Sequence, residues 1–170
     1  TSAGEWLLDN FYLIEEQIRT AKKHLPKGYS RELPHLVSGT SSGFPRVYDI
    51  ALTNVSHGDG RLDSDSLNRF VASYQTVTEL KIGELWAIPI MLRLALIENL
   101  RRVAVRMVHH MSEHLLAGVW ADKMIDAATN DPKSLILVIA DMARSNPPMV
   151  SAFVSELARK LQGQSSALAL

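Results

Sequence analysis

From Leu85 to Ile97 almost every position is apolar, with only Pro89 and Arg93 standing apart. A surface helix would show one polar face, and a half-buried strand would alternate. This run does neither, so it reads as part of a helix buried on most of its sides. The longest stretch, Trp86 to Ile97, spans 12 residues, short of the ~20 that a membrane-crossing helix needs. No membrane span is therefore expected. Pro89 removes one backbone donor, which either kinks the helix or falls within its first two turns.

The rest of the chain extends this helical reading. Leu7, Phe11, Ile14, Ile18, Ala21 and Leu25 recur at alternating intervals of four and three, one stripe along one helix. Ser2 and Glu5 supply a capping box at its start, and Pro26, Lys27 and Gly28 stop it. Residues 29–45 read as a surface loop with one helical turn. A helix over 46–57 is stopped by Gly58-Asp59-Gly60. Asp63 or Ser64 caps the next, with Leu67, Phe70, Val71, Tyr74 and Val77 as its stripe. The long helix starts near Ile82. After Glu98 it becomes amphipathic, with Leu100, Val103, Met107 and Met111 inward and Arg101, Arg102 and Arg106 outward. It either continues through residues 115–128 or bends near Gly118. Asp131-Pro132 and Asn146-Pro147 each place a cap residue before a proline at a helix start. Residues 163–170 are expected to fray. These elements predict an all-α fold, one domain over 1–170, with about six to eight helices around the long one.

Charge narrows the functional classes. The chain carries 18 basic and 18 acidic residues, so it lacks the basic field of a nucleic-acid partner. Cysteine is absent, which removes disulfides and thiolate metal sites from consideration. No basic-then-apolar leader opens the chain, so no signal peptide is visible, and the missing initial Met reads as a piece of a larger protein.

One local pattern has catalytic form. His110, Glu113 and His114 fit the inverted zinc-peptidase signature, in which two histidines one turn apart reach one zinc and the glutamate acts as base. A third ligand is still required, with Asp122 and Asp126 the nearest in sequence. The competing reading is a polar helix face. Asp63-Ser64-Asp65 has the form of a sugar-transferase metal motif, but it opens a helix and reads as a cap. Trp6, Trp86 and Trp120 sit at apolar helical spacings, which makes core packing their default role. Glu15 and Glu16, one turn from Arg19 and Thr20, read as a solvated face. No residue is assigned a catalytic, cofactor-binding or metal-binding role.

Several longer stretches carry a resemblance. Residues 3–12 continuing through Ile14–Ile18, then Tyr29–Pro34, Gly43–Tyr48 and Ile82–Arg102, are similar in order to a stretch near the start of cyclic β-1,2-glucan synthases. The similarity runs over roughly residues 3–106. It implies a large bacterial inner-membrane enzyme that builds and cyclises β-1,2-glucan from UDP-glucose, with a divalent metal in its sugar-nucleotide module. It also implies that this chain lies on the cytoplasmic side, needs no cofactor of its own, and has the other domains of the same polypeptide as partners. The expected role is a scaffolding or regulatory helical region, with a small zinc hydrolase as the alternative.

Two positions in the long helix carry specific expectations. Glu84 falls in the first turn, where a carboxylate suits the positive end of the helix dipole. Arg93 interrupts the apolar run without a carboxylate three or four residues away. It is therefore expected to take a tertiary partner, either Asp9, Glu15 or Asp49, or loop carbonyls.

Overall fold

In a computed structural model, which describes residues 2–25 and 28–168, the chain is all-α. Eight α-helices are present among the described residues: α1 (Ser2–Asp9), α2 (Phe11–His24), α3 (Tyr29–Glu32), α4 (Arg46–His57), α5 (Ser64–Gln75), α6 (Ile82–Asn130), α7 (Leu135–Ser145) and α8 (Ser151–Leu168). The chain divides into two compact units, residues 1–102 and 103–170. Helix α6 contributes residues to both.

The first unit differs from expectation at its start. The stripe from Leu7 to Leu25 is split at Asn10, whose side-chain amide donates to the Trp6 carbonyl at 2.8 Å while its backbone N–H donates to the same oxygen at 3.0 Å. The side chain thus adds a second donor to the carbonyl that the backbone already uses, a local bond characteristic of asparagine at a helix end, and the helix breaks there. The capping box of Ser2 falls on a side chain outside the described residues, as do Pro26 and Lys27 of the expected stop.

Residues 33–45 form a small clasp. His35 and Pro45 make an antiparallel bridge, Leu36 N–H donates to Phe44 O at 3.0 Å, and Arg46 N–H donates to Pro34 O at 2.9 Å. Ser41, buried, donates to Asp49 at 2.5 Å and ties the clasp to α4. Helix α4 ends at Gly58, where a Cβ would meet the Arg61 carbonyl oxygen at 2.4 Å. Only glycine fits that approach. Asp63 caps α5 by accepting from Ser66 N–H at 2.8 Å, as its position predicts.

The core of this unit is the face of α6 bearing Ala87, Met91, Leu92 and Ala95, packed with Val47, Ala51 and Val55 of α4 and with Leu33. Only that face is covered. Trp86 is 80% exposed and Ile82 75%, so the all-round apolar run is buried on one side rather than on most sides. The protein atoms described here do not supply a second wall.

In the second unit α6 continues without interruption through Gly118. Ala117 and Trp120 pack against Phe153 of α8, with Val138 and Met142 of α7 and Leu157 beside them. Val103 and Met111, expected to face inward, are exposed. Pro132–Ser134 forms a 3-10 turn before α7, and the Asp131 side chain makes no capping hydrogen bond. Asn146 does not cap α8. It takes the left-handed conformation, φ 45°, and terminates α7. Pro148 disfavours helical geometry at the preceding Pro147, so a helix cannot start there as the cap pattern predicts. Helix α8 therefore starts at Ser151, and it continues to Leu168 through the segment expected to fray.

Candidate functional site

The first turn of α6 gathers the polar groups of the first unit. Glu84 is fully buried. Its two carboxylate oxygens accept from Arg46 Nε at 2.6 Å and Nη2 at 2.7 Å, and the second also accepts from the Lys81 backbone N–H at 2.9 Å. Arg46 spends its remaining reach on the Glu79 carbonyl at 2.7 Å. Tyr29 O–H donates to the Gly83 carbonyl at 2.7 Å. The fork of Arg46 holds the Glu84 carboxyl below its ordinary pKa, and burial opposes this less strongly. The same bond raises Arg46. Glu84 thus does more than complement a dipole. It is one half of a two-pronged buried ion pair and also caps its own helix.

Beside this knot lies a cleft of about 530 Å³. Its floor is Leu25, Met91, Leu94 and Ile97, and its rim carries Ser30, Arg31, His35, Phe44, Tyr48 and Glu98. Phe44 and Tyr48 stand with ring centroids 5.5 Å apart and planes tilted by 41°. Burial, with the Glu98 charge second, pushes the Tyr48 hydroxyl above its ordinary pKa. Glu98 accepts from Arg101 Nε at 2.7 Å and Arg102 Nε at 2.9 Å. These bonds, with Arg101 the larger cause, lower its carboxyl to about 2. Arg102 is thus an i,i+4 partner of Glu98 and Arg101 an i,i+3 partner.

The zinc pattern does not assemble. The rings of His110 and His114 lie 6.4 Å apart between centroids. His114 Nδ1 faces Glu156 of α8 at 3.5 Å, and Glu156 is itself held by Arg159 at 2.6 Å. Asp122 pairs with Lys160 at 3.0 Å and Asp126 accepts from Asn130 at 2.6 Å. Among the described residues no three His, Asp or Glu side chains come together as a metal set, so the hydrolase alternative has no support.

Two further expectations change. Arg93 does not reach Asp9, Glu15 or Asp49. It is exposed and donates to the Gln17 side-chain carbonyl of α2. Of the three tryptophans only Trp120 is buried, at 8% exposure, with Lys123 Nζ 4.5 Å from its ring centroid. Trp6 and Trp86 are exposed. Sequence reasoning placed Arg46 at a helix start but gave its side chain no role. Its signal was available, as a cation directly before the apolar Val47 at a helix start, but its partner lies 38 residues away.

Three of the stretches that resemble cyclic β-1,2-glucan synthases, at Tyr29–Pro34, Gly43–Tyr48 and Ile82–Arg102, therefore meet at one place, through Tyr29, Arg46, Gly83 and Glu84. The chain is an all-α segment similar to part of that class of enzyme. No protein-family profile matches it. It is 41% identical, over 134 residues and 78% of its length, to the cyclic beta-(1,2)-glucan synthase NdvB of Rhizobium meliloti (strain 1021). The matched stretch is 5% of that protein's length. No helix among the described residues is long and apolar enough to cross a membrane.

Proposed function

We propose that this chain serves as a non-catalytic scaffolding or regulatory region near the start of a cyclic β-(1,2)-glucan synthase, docking other domains of the same polypeptide on the cytoplasmic side of the bacterial inner membrane. In this reading UDP-glucose and a divalent metal are bound elsewhere in the polypeptide, where glucosyl transfer and cyclisation take place. The observation that carries the reading is the convergence of the matched stretches on the start of α6. Their ionisable groups there, Arg46 and Glu84, are saturated by one another and by backbone, so they act to hold the fold. The exposed apolar side chains of the same helix, Ile82 and Trp86, offer a surface for the docked domains.

Deleting the region from the full synthase tests this. Synthesis of cyclic glucan from UDP-glucose in membranes should fall, or ring size should change. Normal initiation, elongation and cyclisation in the deleted enzyme would overturn the proposal. A Trp86→Ala, Ile82→Ser variant, which leaves the buried face of α6 intact, should reproduce part of the defect if docking is the cause.

A further inference from the structure

The cleft beside α4 is built for a ligand of definable chemistry. Its volume, about 530 Å³, falls in the range of roughly 300–1,000 Å³ for small-ligand sites. The aliphatic floor and the aromatic pair can cover one apolar face of a ligand. Phe44 is 54% exposed, an aromatic ring left where a core residue would be covered. Around it stand hydrogen-bonding groups without a hydrogen-bond partner among the described residues: the Arg31 guanidinium, the His35 imidazole and the hydroxyls of Ser30 and Tyr48.

Charge decides between ligand classes. The lining carries one cation, Arg31, and one carboxylate, Glu98, which stays ionised down to about pH 2. Glu98 is already answered by Arg101 and Arg102, so a cationic ligand finds no open carboxylate there and meets Arg31, while an anionic one gains only the exposed, water-screened Arg31 among the lining groups. A neutral ligand with one apolar face and a ring of hydroxyls suits both. It can bond a carboxylate, a guanidinium and a phenol hydroxyl at once while its C–H face lies on an aromatic ring. A pyranose has this form.

We propose that the cleft bounded by Phe44, Tyr48, Arg31, His35 and Glu98 is a binding site for a short stretch of neutral gluco-oligosaccharide. The choice of glucose units rests on the functional reading above, whereas the pyranose chemistry rests on the cleft alone. The sugar's C–H face packs on Phe44 and the floor at Met91 and Leu94. Its hydroxyls donate to Glu98 and accept from Tyr48 and Arg31.

Nuclear magnetic resonance titration of the 170-residue chain with linear β-1,2-glucotetraose tests it. Cellotetraose serves as a linkage control and inorganic phosphate as an anion control. Concentrations of about 10 mM would nearly saturate a site with a Kd of ~1 mM. Shifts should cluster on residues 30–48 and 91–98. Phe44→Ala should weaken binding about tenfold or more, and Tyr48→Phe should weaken it several-fold while leaving the spectrum of the free protein folded. Ile136→Ala, at an exposed position in the second unit, should leave the affinity unchanged. Shifts centred on Trp6 or Trp86, preference for phosphate, or no binding of either tetraose would each overturn the site. Binding of cellotetraose as well would support it as a glucan site of broad linkage. The deletion experiment in the full synthase reads the scaffolding role independently, so either idea can fail without the other.

Discussion

The two units of this chain solve the same problem with different means. Residues 1–102 bury a continuous apolar cluster from α4 and α6 and place an ion pair inside it, with side-chain bonds joining segments 38 to 76 residues apart. Residues 103–170 rely on a small nucleus, Ala117, Trp120 and Phe153. Their polar links, Lys160 to Asp122 and His114 to Glu156, each have one exposed partner, Asp122 and His114. The first unit is thus specified by buried polar geometry, which fails sharply when one partner is lost. The second is specified by shape around one aromatic ring, and its surface pairs are worth little.

Glu84→Gln gives the sharpest test of that contrast. It keeps the side chain's shape and removes the charge that Arg46 answers. Arg46 is only 14% exposed and Glu84 fully buried, so the cost should approach the ~3–5 kcal/mol of a broken buried pair. Hydrogen exchange should accelerate in α4 and the start of α6 and leave α8 protected. Because Glu84 titrates below its ordinary pKa when folded, its contribution is complete above the unfolded carboxylate pKa of 4.5 and fades as pH falls through the folded value. Replacing both partners, as Arg46→Met with Glu84→Leu, should recover much of the loss. A single Glu84→Gln variant as stable as the parent would remove the distinction between the units.

Phe153→Ala is the counterpart in the second unit. Phe153 is fully buried, and its truncation should cost about 3 kcal/mol, toward the low end for Phe→Ala because a small nucleus can collapse around the gap. Trp120 packs in the same cluster, while Trp6 and Trp86 are already exposed. The red shift of tryptophan emission on unfolding should therefore come mainly from the second unit, and its midpoint should drop in this variant. If emission is unchanged while α4 loses protection, the units are not separately specified.

A smaller effect comes from Glu98. Its folded pKa of about 2 lies below the ordinary 4.5, so its stabilisation is present above about pH 4.5 and is lost as pH falls toward 2. The arginines are 64% and 51% exposed, and water screening limits the contribution to ~1 kcal/mol. Glu98→Gln should flatten the acid limb of stability by that amount, more at low salt than at high. An acid limb unaltered by Glu98→Gln would assign the pH dependence to other carboxylates.

Much of this was legible in the sequence where the determinants are local. Asp63 caps α5 as capping chemistry predicts, and α4 and α6 start at Arg46 and Ile82 where the sequence reading places them. What failed had one of two physical causes. Some local signals compete, as when the Asn10 side chain adds a second donor to the Trp6 carbonyl where the helix breaks, or Pro148 overrides the cap pattern of Asn146-Pro147. Other features depend on residues far away in sequence. Arg46 and Glu84 could each be read only alone, and the cleft at Phe44 and Tyr48 exists because the clasp at 33–45 is laid beside α6. Apolar spacing likewise marks which face of a helix could be buried, but not whether anything covers it, and so Trp86 reads as core and is found exposed.

Arg93→Met carries the smallest expected effect and tests the boundary between buried and exposed polarity within one helix. Arg93 lies nine residues beyond Glu84 on α6. Its place between Met91-Leu92 and Leu94 suggested a desolvated charge needing a carboxylate. The side chain is instead exposed, and its partner is the neutral amide of Gln17. A guanidinium that keeps its water loses little when replaced. Methionine retains the aliphatic stem that covers the helix, while removing one exposed hydrogen bond to α2. The net change should stay within ±0.5 kcal/mol, with at most a local rise in hydrogen exchange around Gln17. A loss above ~2 kcal/mol would mean that Arg93 is held in a buried network like that of Arg46, and that polar specification in the first unit extends along α6 well past its first turn.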